Sequence, residues 1–126
     1  QSKKLKNIWT QKEYLLGFRM LSTLESLFNL ARERKKTPVE GSYTNQLLND
    51  KSLSKEKVLE EINELIEAVE KNTNKIHEAA DVFYHLIMYL EANEIKIEEV
   101  MQELNKRKKW VINITNLQDQ DYTEVN

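Results

Sequence analysis

Two glycines and one proline in 126 residues leave this chain few places at which to reverse direction. A sheet-rich fold needs many tight turns and fills them with such residues. The chain is therefore restricted to long elements joined at a few breaks. Its commonest residues include Leu, Glu, Lys, Ile and Asn, a mix that leans helical, so an all-α fold is expected. The length suits one domain with a modest core.

The pattern of apolar residues places the helices. Leu15, Phe18, Leu21, Leu24, Phe28 and Ala31 recur at steps of three and four, predicting an amphipathic helix over 12–35. Pro38 and Gly41 break the chain, so 38–44 reads as a loop and 45–48 as a short helix. Ser54 is a plausible N-cap for a helix to about Lys71 with the stripe Val58, Ile62, Leu65, Ile66 and Val69. After Asn72-Thr73-Asn74 a third long helix runs over 75–92. Its C-terminal half carries little polar surface, as expected inside a bundle or between subunits. A fourth spans 97–109, with Val100, Met101 and Leu104 inward. The expected organisation is an N-terminal arm over 1–11, a helical bundle of about four main helices over 12–110, completed by dimerisation, and a loosely held tail over 111–126. Trp9 and Trp110 read as packing anchors.

Composition excludes several functions. With no cysteine, disulfides and thiolate metal sites are ruled out. A formal net charge of −2 lacks the basic footprint of a nucleic-acid binder. No apolar run approaches the roughly 18 residues of a membrane span, and the first residues are not signal-like. A cytoplasmic protein with neither nucleic-acid nor membrane partner is expected.

The informative residues are acidic. Glu61 and Glu64 lie three apart on one helix, and Glu78 and Asp81 three apart on the next, so each pair shares a face. A short connection implies antiparallel packing, which lets the two pairs face each other. Four converging carboxylates repel unless a cation sits among them, and Mg²⁺ or Mn²⁺ takes oxygen ligands. A solvated acidic face is the alternative reading, favoured for Glu60, Glu67 and Glu70.

Around these acids the sequence resembles the MazG-like all-α nucleotide pyrophosphohydrolases, and within them the phosphoribosyl-ATP pyrophosphohydrolases of histidine biosynthesis. The residues carrying the resemblance are Arg34-Lys35, Glu40-Gly41-Ser42-Tyr43-Thr44, Leu47-Leu48, Lys57-x-x-Glu60-Glu61-x-x-Glu64, Glu78-Ala79-Ala80-Asp81-x-x-Tyr84-His85 and Val100-x-x-Glu103-Leu104-x-x-Arg107. Leu59 stands where the family often has Gly, and Pro38 lies one place before the usual loop proline, at Val39.

The resemblance implies Mg²⁺-dependent hydrolysis of phosphoribosyl-ATP to phosphoribosyl-AMP and pyrophosphate by a homodimer. Glu61, Glu64, Glu78 and Asp81 would hold the metal, and Glu60 would orient or deprotonate the attacking water. Arg34, Lys35, Lys57 and Arg107 are candidates for the substrate's phosphates. Gly41, Ser42, Tyr43 and Thr44 would form a binding loop, or only a structural turn. Tyr84 would line the base pocket or belong to the core. His85, one turn beyond Asp81, is either a direct participant or a satisfied core residue. A housecleaning nucleoside triphosphate pyrophosphatase and a non-catalytic helical interaction module stand as the alternatives.

Overall fold

The computed structural model describes the backbone of residues 10–118 and the side chains of 10–12 and 21–108. The N-terminal arm through Trp9, the side chain of Trp110 and the tail beyond Gln118 lie outside the described residues. Among those described there are five helices and no strand: α1 (Gln11–Lys36), α2 (Tyr43–Asn49), α3 (Lys51–Lys71), α4 (Lys75–Ala92) and α5 (Ile97–Gln118). They divide into two compact units, one spanning Thr23–Lys96 and the other comprising the segments either side of it.

The Thr23–Lys96 unit is built on α3 and α4, its most extensively packed pair, with α2 against both. Its turn is made by asparagine: Asn72 and Asn74 adopt positive φ of 57° and 41°, a region Asn tolerates better than most residues. The Asn72 and Thr73 amides close α3 by bonding to the Ala68 carbonyl. Phe28 and Ala31 of α1, Leu47 and Leu48 of α2, Val58 and Ala68 of α3, and Val82, Ile87, Met88 and Ala92 of α4 form the buried apolar set.

Three local expectations are corrected. Ser54 is not an N-cap: α3 begins at Lys51, and Asp50 caps it by accepting from the Leu53 amide at 3.0 Å. A carboxylate at the helix N-terminus also complements the macrodipole. Ser54 instead lies buried inside the helix. α2 begins at Tyr43, inside the expected loop, because the Ser42 side chain accepts from the Asn45 amide and caps it. The buried stripe of α3 is Ser54, Val58, Glu61 and Ala68, whereas Ile62, Ile66 and Val69 are exposed.

In the second unit α5 continues to Gln118 instead of ending near Lys109. Met101 and Leu104, expected inward, are about half exposed. Glu103 accepts from Arg107 at 3.0 Å and lies 3.5 Å from Lys106, local pairs that support the exposed helix.

Candidate active site

α3 and α4 each carry an acid cluster. Glu60, Glu61 and Glu64 bring one oxygen apiece within 4.8 Å of one another, and so do the ligand atoms of His77, Glu78 and Asp81. Glu64 links the clusters across the helix pair. Its carboxyl is raised above its ordinary value by the Glu61 charge first, then by burial and by the charge of Glu78. Glu61, Glu64 and Glu78 therefore converge, while Asp81 lies beside His77 at 3.3 Å.

Convergence of carboxylates with no cation between them is unfavourable. Glu61 is only 9% exposed, and Oε1 of both Glu61 and Glu78 is buried with no hydrogen-bond partner among the described residues. Such groups carry a desolvation penalty of about 1–3 kcal/mol, or more when charged. Hard oxygen donors buried without partners fit Mg²⁺ or Mn²⁺, whose coordination would satisfy them.

Lys57 lies 3.3 Å from Glu60, and its ammonium is raised chiefly by that hydrogen bond. Tyr43 is within electrostatic reach of Lys57, Glu60 and Glu61; burial raises its phenol, opposed by Lys57.

Behind the acids, α2 is clasped to α4. The Tyr43 hydroxyl is 3.0 Å from His85 Nε2, and His85 Nδ1 is 2.8 Å from the Asp81 carbonyl. A carbonyl only accepts, so Nδ1 carries a proton; in that neutral tautomer Nε2 is the acceptor for Tyr43. His85 is buried, as a satisfied core histidine would be. Thr44 Oγ1 and the Tyr84 hydroxyl pair at 2.5 Å, and the rings of Tyr43 and Tyr84 stack with centroids 6.5 Å apart.

The loop before α2 is internally braced. Arg34 donates to Ser42 Oγ at 2.8 Å. Asn45 is buried, donating to the Arg34 carbonyl and accepting from the Val39 amide at 2.8 Å. A proline at 39 would have no N–H to give; Pro38, one place earlier, leaves that bond intact. Gly41 has φ 80°, which side chains strain against. Ser42 accepts two bonds here, from Arg34 and from the Asn45 amide. A groove of about 580 Å³ lies along this loop and α2, lined by Gly41, Ser42, Gln46, Asn49 and Asp50 among others, and contains none of the four acids proposed as metal ligands.

Two sequence candidates have partners outside these acid clusters. Lys35 donates to the Glu91 carbonyl at 2.8 Å and lies 3.8 Å from its carboxylate. That is ten residues, about 15 Å of helix, beyond Asp81. Arg107 belongs to the second unit, where it pairs with Glu103. His77 was missed by sequence reasoning. Its signal was the i, i+4 spacing to Asp81 immediately before Glu78.

Comparison with known proteins places the chain among pyrophosphohydrolases. Residues 21–108 match the family profile described as phosphoribosyl-ATP pyrophosphohydrolase. A phosphoribosyl-ATP pyrophosphatase of Clostridium novyi is 43% identical over 98 residues, covering 74% of this chain and 87% of the relative. One of Methanococcoides burtonii is 39% identical over 93 residues, covering 70% and 94%. A histidine biosynthesis bifunctional protein of Pyrococcus furiosus is 42% identical over 92 residues, 71% of this chain and 43% of that protein. No solved structure matches the chain significantly.

Proposed function

Because the chain belongs to the phosphoribosyl-ATP pyrophosphohydrolase family, we propose that it hydrolyses phosphoribosyl-ATP to phosphoribosyl-AMP and pyrophosphate, in the cytoplasm and in histidine biosynthesis. The observation that carries the site assignment is the pair of buried oxygens on Glu61 and Glu78, unpartnered among the described residues, each in a cluster of three candidate ligands.

Glu61, Glu64, Glu78 and Asp81 would hold Mg²⁺, or Mn²⁺. When bound, the ion offsets phosphate charge and lowers the pKa of a water. Water adds across the α–β phosphoanhydride; its oxygen joins the α-phosphorus, and the bridging oxygen leaves with pyrophosphate. Glu60, held by Lys57 at 3.3 Å, takes the proton from that water. Lys57 supplies positive charge to the phosphates beside Glu60. Ser42 donates its remaining proton to the substrate, and the Arg34 contact holds that hydroxyl in place. Tyr43, whose proton is committed to His85, offers its oxygen as an acceptor to a substrate hydroxyl or to water. His85 acts through Tyr43.

The active form is a homodimer. Besides its buried stripe, α3 exposes a second apolar one, Leu59, Ile62, Ile66 and Val69, and α4 exposes Phe83 and Leu86. Contiguous apolar surface of this kind marks an association face, and a second copy is its proposed occupant. Light scattering on the purified chain tests this; a monomer at micromolar concentration would contradict it.

The direct test measures pyrophosphate release from phosphoribosyl-ATP with Mg²⁺ and with chelator, beside ordinary nucleoside triphosphates. The expected result is Mg²⁺-dependent release from phosphoribosyl-ATP alone. Equal or faster turnover of the common triphosphates would overturn the substrate assignment.

A further inference from the structure

His77 stands beside the α4 acids with no task in the mechanism above. It directly precedes Glu78 and lies one helical turn before Asp81, so its ring can reach the same face. Nε2 is 3.3 Å from Asp81 Oδ2, and the ligand atoms of His77, Glu78 and Asp81 all lie within 4.8 Å of one another. Two groups binding one ion at about 2.1 Å and near right angles are about 3 Å apart. The observed separation therefore suits neighbours in one coordination shell as well as a direct hydrogen bond.

The rest of the site discriminates between these. A surface His–Asp pair accounts for Asp81 alone. It leaves Glu78 Oε1, in the same cluster, buried and without a partner among the described residues. It also leaves Glu61, 9% exposed, with an unpartnered oxygen on the facing helix. An ion that satisfies Glu78 and Asp81 from the α4 side lies within reach of the His77 ring. That side chain is 72% exposed and can turn toward it.

We propose that His77 is a metal ligand through Nε2 beside Glu78 and Asp81, giving the α4 half of the site a nitrogen donor. The proposal rests on the reading of these acids as a divalent-cation site. Its consequence is metal preference. Carboxylates and water suit Mg²⁺ and Mn²⁺ alike, but Mn²⁺, a first-row transition ion, takes an imidazole nitrogen more readily than the harder Mg²⁺ does. His77 thus tilts the site toward Mn²⁺ relative to the same site without it.

The test loads the whole chain with Mn²⁺ and reads nitrogen coupling to the ion by pulsed electron paramagnetic resonance. The wild type should show ¹⁴N coupling, and His77→Gln should lose it. His85, present in both proteins with both ring nitrogens engaged, serves as the internal control. Calorimetric titration of His77→Gln should show Mn²⁺ affinity reduced about tenfold and Mg²⁺ affinity changed less than about twofold. An unchanged thermal melt without metal would show that the variant is folded. Mn²⁺ bound without nitrogen coupling, coupling that survives in His77→Gln, or unchanged Mn²⁺ affinity would each overturn the ligand assignment and leave the acid site standing. Failure of Mn²⁺ and Mg²⁺ to bind the wild type would overturn both.

Discussion

The two ends of α4 treat their carboxylates in opposite ways. At the C-terminal end Glu91, 4% exposed, accepts from Arg32 Nε at 3.4 Å and has Lys35 Nζ at 3.8 Å. An acid there is opposed by the helix dipole, and two cations from α1 offset both that and its burial. At the N-terminal end Glu78 has the dipole in its favour, yet it faces Glu64 with one oxygen unpartnered. The first arrangement is complete without a ligand. The second leaves a buried oxygen unpartnered among the described residues, and it is this difference on which the proposed cation site rests.

The sharpest way to break this comparison is by activity. Glu64→Gln and Asp81→Asn should each retain less than about a tenth of wild-type turnover while staying folded, since each keeps size and removes a metal-binding charge. Glu91→Ala should keep turnover per folded molecule but lose about 2–3 kcal/mol of stability, because it strands two partly exposed cations. Phosphoribosyl-ATP assays paired with urea melts measure both. Near-wild-type turnover in the two acid variants would remove the distinction.

Next in size is the response to metal. Mg²⁺ at a hundredfold excess over its Kd should add about 2.7 kcal/mol. That is a rise of several degrees in Tm, at roughly 2–8 °C per kcal/mol. NaCl at matched ionic strength should not reproduce it. Glu91→Gln should keep the shift and Glu64→Gln should lose most of it. Equal responses to Mg²⁺ and NaCl in the wild type would favour a solvated acidic face.

A smaller effect concerns pH. The Glu64 carboxyl is raised above its ordinary 4.5, by Glu61 first. With chelator present, the unfolded chain releases this proton near pH 4.5 while the folded chain still holds it. The stability contributed by Glu64 is thus fully present below 4.5 and is lost as pH rises toward the folded value. Melts across that window should show a decline that Glu64→Gln flattens; identical pH profiles would place Glu64 apart from the other acids.

The smallest effect is at Ser54, whose hydroxyl is buried without a partner among the described residues. Ser54→Ala should be neutral or stabilising by up to about 1 kcal/mol, with turnover unchanged. A loss of turnover would make this orphan, too, part of the site.

The acid spacing, the helix pair and the asparagine turn were legible because each follows from local periodicity and turn chemistry. The inward face of α3 was not. It carries two apolar stripes about 100° apart, and periodicity cannot rank them. The buried stripe contains Ser54 and Glu61 beside Val58 and Ala68, so hydrophobicity caught Val58 but drew the rest of the face toward the exposed Ile62, Ile66 and Val69. Ser54 was taken for a cap because Ser, Thr and Asp are equivalent on that criterion. Asp50 does the capping, set by where α2 ends. Lys35 is a phosphate candidate by resemblance, but its partner Glu91 is 56 residues away, and no local pattern announces such a pair.

Asp50 also has a mechanical consequence. Its amide closes α2 on the Gln46 carbonyl while its side chain opens α3, so one residue is the whole joint between the helix that begins with Tyr43 and Thr44 and the helix that bears Glu61 and Glu64. A joint with no spare residue transmits displacement without slack. Through Asp50 and the Tyr43–His85 contact, the turn at Ser42–Thr44 is held in register with both acid-bearing helices at once.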